Sequence, residues 1–245
     1  MATNGALTAA HALDFRLLGP LEVRDGTQPV VLRGRKQRAL LAVLLLHAGE
    51  WVSSDLLVDA LWGEDAPKTA RAALQNYVAQ LRRLLGAELI VSREGGYELA
   101  VAREQIDLCR FQRLLGEART AGGEQRLEQL REALALWRGP PLADLAYEPF
   151  ASPEAVRLEE LRLSALEDEI DAELALGAGP ELVEKIEPLV AANPFRERFP
   201  AQLMLALYRA GRQADALELY QQTRRRLVDE LGIEPGNALR ELQGA

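Results

Sequence analysis

The sequence predicts a mainly α-helical protein: a first part that mixes short strands with three helices, and a remainder that is all helix. Three observations predict this. "FRLLGPLEVRDGTQPVVLRG", Phe15 to Gly34, alternates in strand fashion and breaks at Gly19-Pro20 and Asp25-Gly26. "ELIVSREGGYELAV", Glu88 to Val101, reads as a hairpin turned at Gly95-Gly96. From Asp107 onward apolar residues recur at helical spacing with almost no strand signal.

Composition sets the frame. At 245 residues, 48% hydrophobic and 27% charged, the chain can bury the cores of two modest domains without staples. The single cysteine, Cys109, cannot form an internal disulfide, which points to a reducing compartment; in its apolar-periodic setting it reads as a small core or boundary hydrophobe, not a nucleophile. "MATNGALTAAHAL" has neither a basic start nor a sustained apolar segment. The greasiest run, Ala39 to Ala48, is half of what crosses a bilayer, so a cytoplasmic protein without membrane contact is expected. Residues 1–13 are expected to be flexible. Residues 1–103 carry 12 Lys and Arg against 11 Asp and Glu, whereas 104–245 carry 17 against 26, an asymmetry that suggests two parts with different partners.

Taken in order, residues 14 to 33 read as a small antiparallel sheet. Leu40, Leu41, Leu44 and Leu45 repeat at helical spacing in a helix that should stop near Gly49. Ser53 or Ser54 then caps "SDLLVDALWG", with Asp55 in the first turn and Gly63 at the end. "EDAP" is a loop, and a third helix follows over Thr69–Leu85. Strands at Leu89–Val91 and Tyr97–Val101 close this part, 14–103. In the second part, 107–245, helices are expected over Leu108–Ala121, Glu124–Trp137, Pro153–Leu176, Glu181–Ala192, Glu197–Ala210 and Gln213–Leu231. Gly177 and Gly211 stand 34 residues apart, the period of a tetratricopeptide repeat, and Ala216 with Tyr220 matches the small–large pair such repeats use to pack helices. The signature Trp and Gly of that repeat are not in place, so this part is tetratricopeptide-like.

The third helix carries the functional signal. "KTARAALQNYVAQLRRLLG", Lys68 to Gly86, holds four basic residues and no acidic one in an acidic chain. Leu74, Val78, Leu81 and Leu85 fall within about 40° of one another on a helical wheel and form a buried stripe. The far side carries Thr69, Ala72, Asn76, Ala79 and Arg83, flanked by Lys68, Gln75, Gln80 and Arg82. Arg pairs with guanine, Asn or Gln with adenine, in the major groove, and small Ala lets a helix approach closely. A solvated face would normally mix Glu with Lys and Arg. Lys68, Thr69 and Arg71 at the helix start suit a phosphate. A short helix before and a Gly-turned hairpin after make the segment a winged helix-turn-helix, with Ser92 and Arg93 on the wing and Glu94 beside them. "RGRKQR" adds Arg33, Arg35, Lys36 and Arg38 as candidates for the DNA backbone; a plain solvated turn is the other reading.

Nothing points to an enzyme. His11 and His47 are the two histidines; His11 falls in the expected flexible start, and His47 closes an apolar helix, where a donor suits the free carbonyls. No Cys/His cluster has metal-ligand spacing, and no cofactor motif is present. The acidic run Glu167 to Glu173 reads as a solvated helix face with Leu166, Ile170 and Leu174 on the buried side.

"LGPLEV", "RKQRALLAVLLLHAG", "LVDALWGEDAP", "LQNYVAQLRRLLG" and "GGYEL" resemble the OmpR-type winged-helix domain of the Streptomyces antibiotic regulatory protein family. "LALWRGPPLAD", "RLEELRLSALEDEIDAELALG" and the block from "LVAANPFRERFP" to "LVDELGIEPG" resemble the bacterial transcriptional activation domain that follows it. The resemblance covers residues 14 to about 245. It implies an activator that binds direct repeats near the -35 element of biosynthetic promoters and that meets RNA polymerase holoenzyme through its sigma factor; repeated half-sites about one DNA turn apart call for two or more copies, with self-association on the DNA as a dimer expected. It places the third helix in the major groove and the wing, Leu89–Val101, on the minor groove. Larger relatives continue into a P-loop ATPase or a phosphothreonine-binding domain. G-x-x-x-x-G-K-[ST] is absent here, so a small member or a piece of a larger one is expected, without a receiver domain's phosphorylatable aspartate. A winged-helix repressor and a helical scaffold that binds only protein stay open as alternatives.

Overall fold

The computed structural model describes residues 13–244. Most of the segment expected to be flexible, and His11 within it, lie outside these residues. Strands β1 (Leu13–Arg16), β2 (Glu22–Asp25) and β3 (Gln28–Pro29) form an antiparallel sheet in that order, with Phe15 opposite Val23, both buried. Helix α1 (Arg35–Leu46) buries every residue from Ala39 to Leu45, which explains its lack of polar positions: no face of that stretch meets water.

Strand β4 (Trp51–Ser53) leads into α2 (Ser54–Trp62), capped by the Ser53 hydroxyl, which accepts from Leu56 N–H at 3.1 Å. Helix α3 (Ala70–Leu85) follows a short 3-10 turn, Gly63–Asp65, in the segment read as a loop. Strands β5 (Ile90–Arg93) and β6 (Gly96–Leu99) close the motif as a sheet of order β4-β6-β5. Two details differ from the sequence reading. Strand β4 was not anticipated, and the hairpin turn is Glu94-Gly95, with Gly96 already paired to Ser53 and Arg93. The two glycines therefore do different things: Gly95 takes the left-handed turn at φ 76°, while Gly96 lets Trp51 and Val52 come close.

Packing gathers the chain into two compact units. The first runs to Leu114 and adds Ala133–Arg162; the second takes Leu115–Glu132 and everything from Leu163. Three helices contribute to both: α4 (Asp107–Thr120), α5 (Gly123–Ala135) and α6 (Ala151–Ala175). In the first unit, the Leu17–Leu21 turn is hydrogen-bonded to residues far along the chain. Asp107 accepts from Leu17 and Leu18 N–H at 2.8 and 3.0 Å, and Asp144 from Leu21 N–H at 2.7 Å. Arg138 N–H donates to the Leu18 carbonyl and Leu142 N–H to that of Gly19, and the Trp137 ring meets Phe111 edge-on at 5.4 Å.

The described residues of the second unit form helices joined by turns, with no strand among them. Helices α7 (Pro180–Ala192) and α9 (Gln213–Arg226) both pack on α8 (Arg198–Arg209), which buries Phe199, Leu203, Met204, Ala206 and Leu207. Gly177 and Gly211 both adopt positive φ, at 96° and 74°, so the 34-residue spacing marks two equivalent helix ends, as expected of a tetratricopeptide-like arrangement. The last turn of the expected Gln213–Leu231 helix is π-helical, Leu227–Leu231, and α10 (Asn237–Gly244), unanticipated because so short, buries Leu239. The acidic run needs correcting. Ile170 and Leu174 are core as expected, but Glu167, Glu169 and Glu173 are buried too. Glu167 meets Arg196 and Arg198, while Lys185 bridges Glu169 and Glu173 at 3.0 and 2.8 Å and Arg131 meets Glu173 at 2.7 Å. Buried carboxylates persist only with such partners, and this flank of α6 is an internal ion-pair ladder, not a solvated face.

Candidate nucleic-acid interface

Helix α3 is placed by its apolar stripe. Leu74, Val78, Leu81 and Leu85 are buried, and the helix packs on α1 and α2. The Trp62 ring of α2 stacks on Tyr77 of α3, centroids 6.4 Å apart. This orientation leaves Lys68, Thr69, Arg71, Ala72, Gln75, Asn76, Ala79 and Arg83 exposed, with Gln80 half-buried at the edge. Among the described residues Lys68, Gln75, Asn76 and Gln80 have no hydrogen-bond or ion-pair partner, so their donors and acceptors face outward unspent. Arg83 makes one long bond, 3.3 Å, to the Ala79 carbonyl of its own helix.

Other candidates prove to be engaged within the chain. Arg71 meets Asp55 of α2 at 2.6 Å, so the face is free of acid in α3 itself but not in its surroundings. Both side chains are about three-quarters exposed, and such a pair is worth little and yields readily to a stronger anion. Arg82 turns away from the reading face: Nε and Nη2 donate to the Ile90 carbonyl at 2.9 and 2.5 Å, and Nη2 also to Ser92 Oγ at 2.8 Å. In the chain alone Arg82 thus links α3 to the wing, and the Ser92 hydroxyl is already in use. Arg93 stays largely exposed but pairs at 2.7 Å with Glu98 across the hairpin, not with Glu94.

The basic segment before α1 divides. The Glu148 carboxylate is wholly buried and draws in two cations, Arg35 Nε at 2.7 Å and Lys36 Nζ at 2.7 Å. Lys36 also bonds the Leu61 carbonyl and lies 5.7 Å over the Trp62 ring. Arg38 is bound to Asp144 and, at 2.6 Å, to the Leu21 carbonyl. In the chain alone these three are thus paired with two carboxylates more than 100 residues away, the Arg35 side chain staying largely exposed. Arg33 alone of the four is exposed without a partner among the described residues; with Arg83, Gln37, Gln80, Val31 and Leu84 it lines a shallow groove.

The remaining titratable candidates are unremarkable. His47 Nδ1 lies 3.3 Å from Glu50 rather than on the helix-end carbonyls. Cys109 is half-buried, and burial pushes its thiol above the usual range. Among the described residues no group of three metal-ligating side chains is assembled, and no helix is long and apolar enough to cross a membrane.

Residues 106–245 match the bacterial transcriptional activator domain family, and residues 27–99 match the family described as transcriptional regulatory protein, C terminal. The chain is 42% identical over 238 residues to the regulatory protein AfsR of Streptomyces griseus, covering 96% of the chain and 24% of that protein. It is 36% identical over 248 residues to the regulatory protein DnrI of Streptomyces peucetius, covering 95% and 91%. It thus spans about a quarter of the AfsR proteins it matches but nearly all of DnrI. Among solved structures, Mycobacterium tuberculosis EmbR in complex with a low affinity phosphopeptide superposes with a TM-score of 0.91 at 37% identity, over 95% of this chain and 64% of that one.

Proposed function

This chain belongs to the Streptomyces antibiotic regulatory protein family of transcriptional regulators, not to an enzyme family, and from that premise we propose that it is a sequence-specific DNA-binding activator. Residues 14–103 hold duplex DNA and residues 107–245 engage RNA polymerase holoenzyme through its sigma factor. The observation that carries the reading is the outward face of Gln75, Asn76, Ala79, Gln80 and Arg83, its Gln and Asn side chains without partners among the described residues, on a helix whose other side is fixed in the core. Gln and Asn pair bidentately with adenine, Arg with guanine, and Ala79 admits the close approach this needs. Lys68 and Thr69 at the start of α3 hold a phosphate, Arg71 joins them on leaving Asp55, and Arg33 and Arg93 add backbone contacts on either side. Two or more copies occupy direct repeats about one helical turn apart near the -35 element of biosynthetic promoters. The site of action is the cytoplasm.

Titration onto duplexes from the promoters flanking its own gene, at several salt concentrations, tests this. The expected log K falls with log salt by about 0.9 per phosphate neutralised. Asn76→Ala and Arg83→Ala should each cost about 1–3 kcal/mol on the promoter duplex and far less on random sequence. Equal affinity for promoter and random duplexes would sink the reading. Transcription reconstituted with purified holoenzyme gives the sign: a rise in transcript is expected, and a fall would make the protein a repressor.

A further inference from the structure

Strand β5 sits at the edge of the β4-β6-β5 sheet and is laddered to β6 alone. The outer carbonyls of an edge strand have no strand to pair with. One of them, that of Ile90, is taken by Arg82, whose fork reaches it with both Nε and Nη2 and reaches Ser92 Oγ with Nη2. Among the described residues, the side-chain hydrogen bonds that reach β5 from outside its sheet come from this one guanidinium. Arg82 and Arg83 are neighbours in sequence but about 100° apart on the helix, so one points at the wing while the other stays on the reading face.

We infer that Arg82 is a positioning residue for DNA recognition: it fixes the wing relative to the reading face of α3 and does not touch DNA itself. This deepens, and rests on, the reading of α3 and the wing as the DNA-binding surface. A protein that reads one groove with a helix and the next with a hairpin must hold the two at a set separation before it meets the duplex. Each contact then forms without ordering the other. The planar fork of Arg makes all three bonds in one pose, whereas a lysine ammonium, lacking Nε, cannot. The Ser92 hydroxyl is the second half of the latch: it accepts from Arg82.

The full chain carrying Arg82→Lys, Ser92→Ala, or both, tests this in two arms. Without DNA, hydrogen exchange of the β5 amides should quicken about tenfold or more in Arg82→Lys, because the strand edge opens locally. On a promoter duplex, hydroxyl-radical protection under the wing should weaken while protection under α3 persists. Affinity should fall about tenfold, the size of a lost charge-assisted bond, with the salt slope unchanged. Adding Ser92→Ala to Arg82→Lys should change little further, since both remove one contact. In Arg82→Gln, which removes the charge that Arg82→Lys keeps, a salt slope shallower by about 0.9 with wing protection intact would make Arg82 a phosphate contact and overturn the inference. Native exchange and native affinity in Arg82→Lys would overturn it as well, and additive losses would move Ser92 from the latch onto the DNA. If the unaltered chain leaves no footprint on any promoter duplex, the DNA reading itself has failed; the exchange arm, run without DNA, keeps that outcome distinct from failure of the latch.

Discussion

Gly96→Ala is expected to destabilise the protein by about 3 kcal/mol and to abolish wing-dependent DNA binding. Gly96 lies in β6 opposite both Ser53 and Arg93. A Cβ there would stand 2.2 Å from the Val52 carbonyl oxygen and 2.8 and 2.9 Å from two indole atoms of Trp51. The indole can swing away; the carbonyl cannot, because it belongs to the strand that pairs Trp51–Ser53 with Gly96–Glu98. Relief therefore means giving up the β4–β6 ladder. Ser54 N–H, the first of α2, donates to the Gly95 carbonyl at 2.8 Å, so the displacement reaches the helix before the reading helix as well. Gly95→Ala is the control. It meets only the Trp51 ring at 3.8 Å, and its cost is the left-handed φ of 76°, about 1 kcal/mol. Thermal melts of the two variants beside the unaltered chain check the ranking. A Gly96→Ala protein as stable as Gly95→Ala would show that β4 is dispensable to the wing.

That strand marks where sequence reading stops. The stripe Leu74, Val78, Leu81, Leu85 was legible because burial of a helix face is periodic, and the wing was legible because Gly-Gly between two β-like runs is a local signal. Strand β4 has three residues, too few to show alternation, and exists because β6 offers it a ladder. The fate of each cation was equally out of reach. A helical wheel gives the direction in which Arg82 leaves α3, but not that a carbonyl of the next strand waits there. Lys36 and Arg38 sit in a run that reads as a basic patch, and the carboxylates that consume them come from Glu148 and Asp144. The ladder on α6 fails in the opposite sense: acidic residues on a helix read as solvated, until Arg131, Lys185, Arg196 and Arg198 arrive from other segments. Periodicity finds apolar faces; long-range pairing decides which charges remain for a ligand.

Asp107→Ala should be as damaging to stability, by about 4 kcal/mol, through a different mechanism. The carboxylate is 2% exposed and accepts from three backbone N–H groups, Leu17 at 2.8 Å, Leu18 at 3.0 Å and Leu108 at 2.7 Å. Alanine leaves two donors of the Leu17–Leu21 turn buried and unpaired, and strips α4 of its N-terminal acceptor. Asn is no rescue, since its amide NH2 would face one of those donors. Burial pushes the Asp107 carboxyl above the ordinary value, against the pull of the Leu17, Leu18 and Leu108 N–H groups and of Arg138. A raised folded value means that the folded state keeps this proton to higher pH than the unfolded chain does. The contribution is then complete below the unfolded value and lost as pH rises through the folded one. The stability gap between the unaltered protein and Asp107→Ala should therefore widen as pH falls through the carboxylate range. Glu22, held low chiefly by its hydrogen bond from Arg24, loses its own contribution over the same range, but does so in both proteins and cancels in the difference. Urea unfolding of both proteins across that range measures the gap. A gap that stays flat would place the folded Asp107 at its unfolded value, and a gap near zero would mean that the Leu17 and Leu18 donors find other acceptors. The residue that opens the 107–245 segment thus anchors the Leu17–Leu21 turn between the first two strands of 14–103.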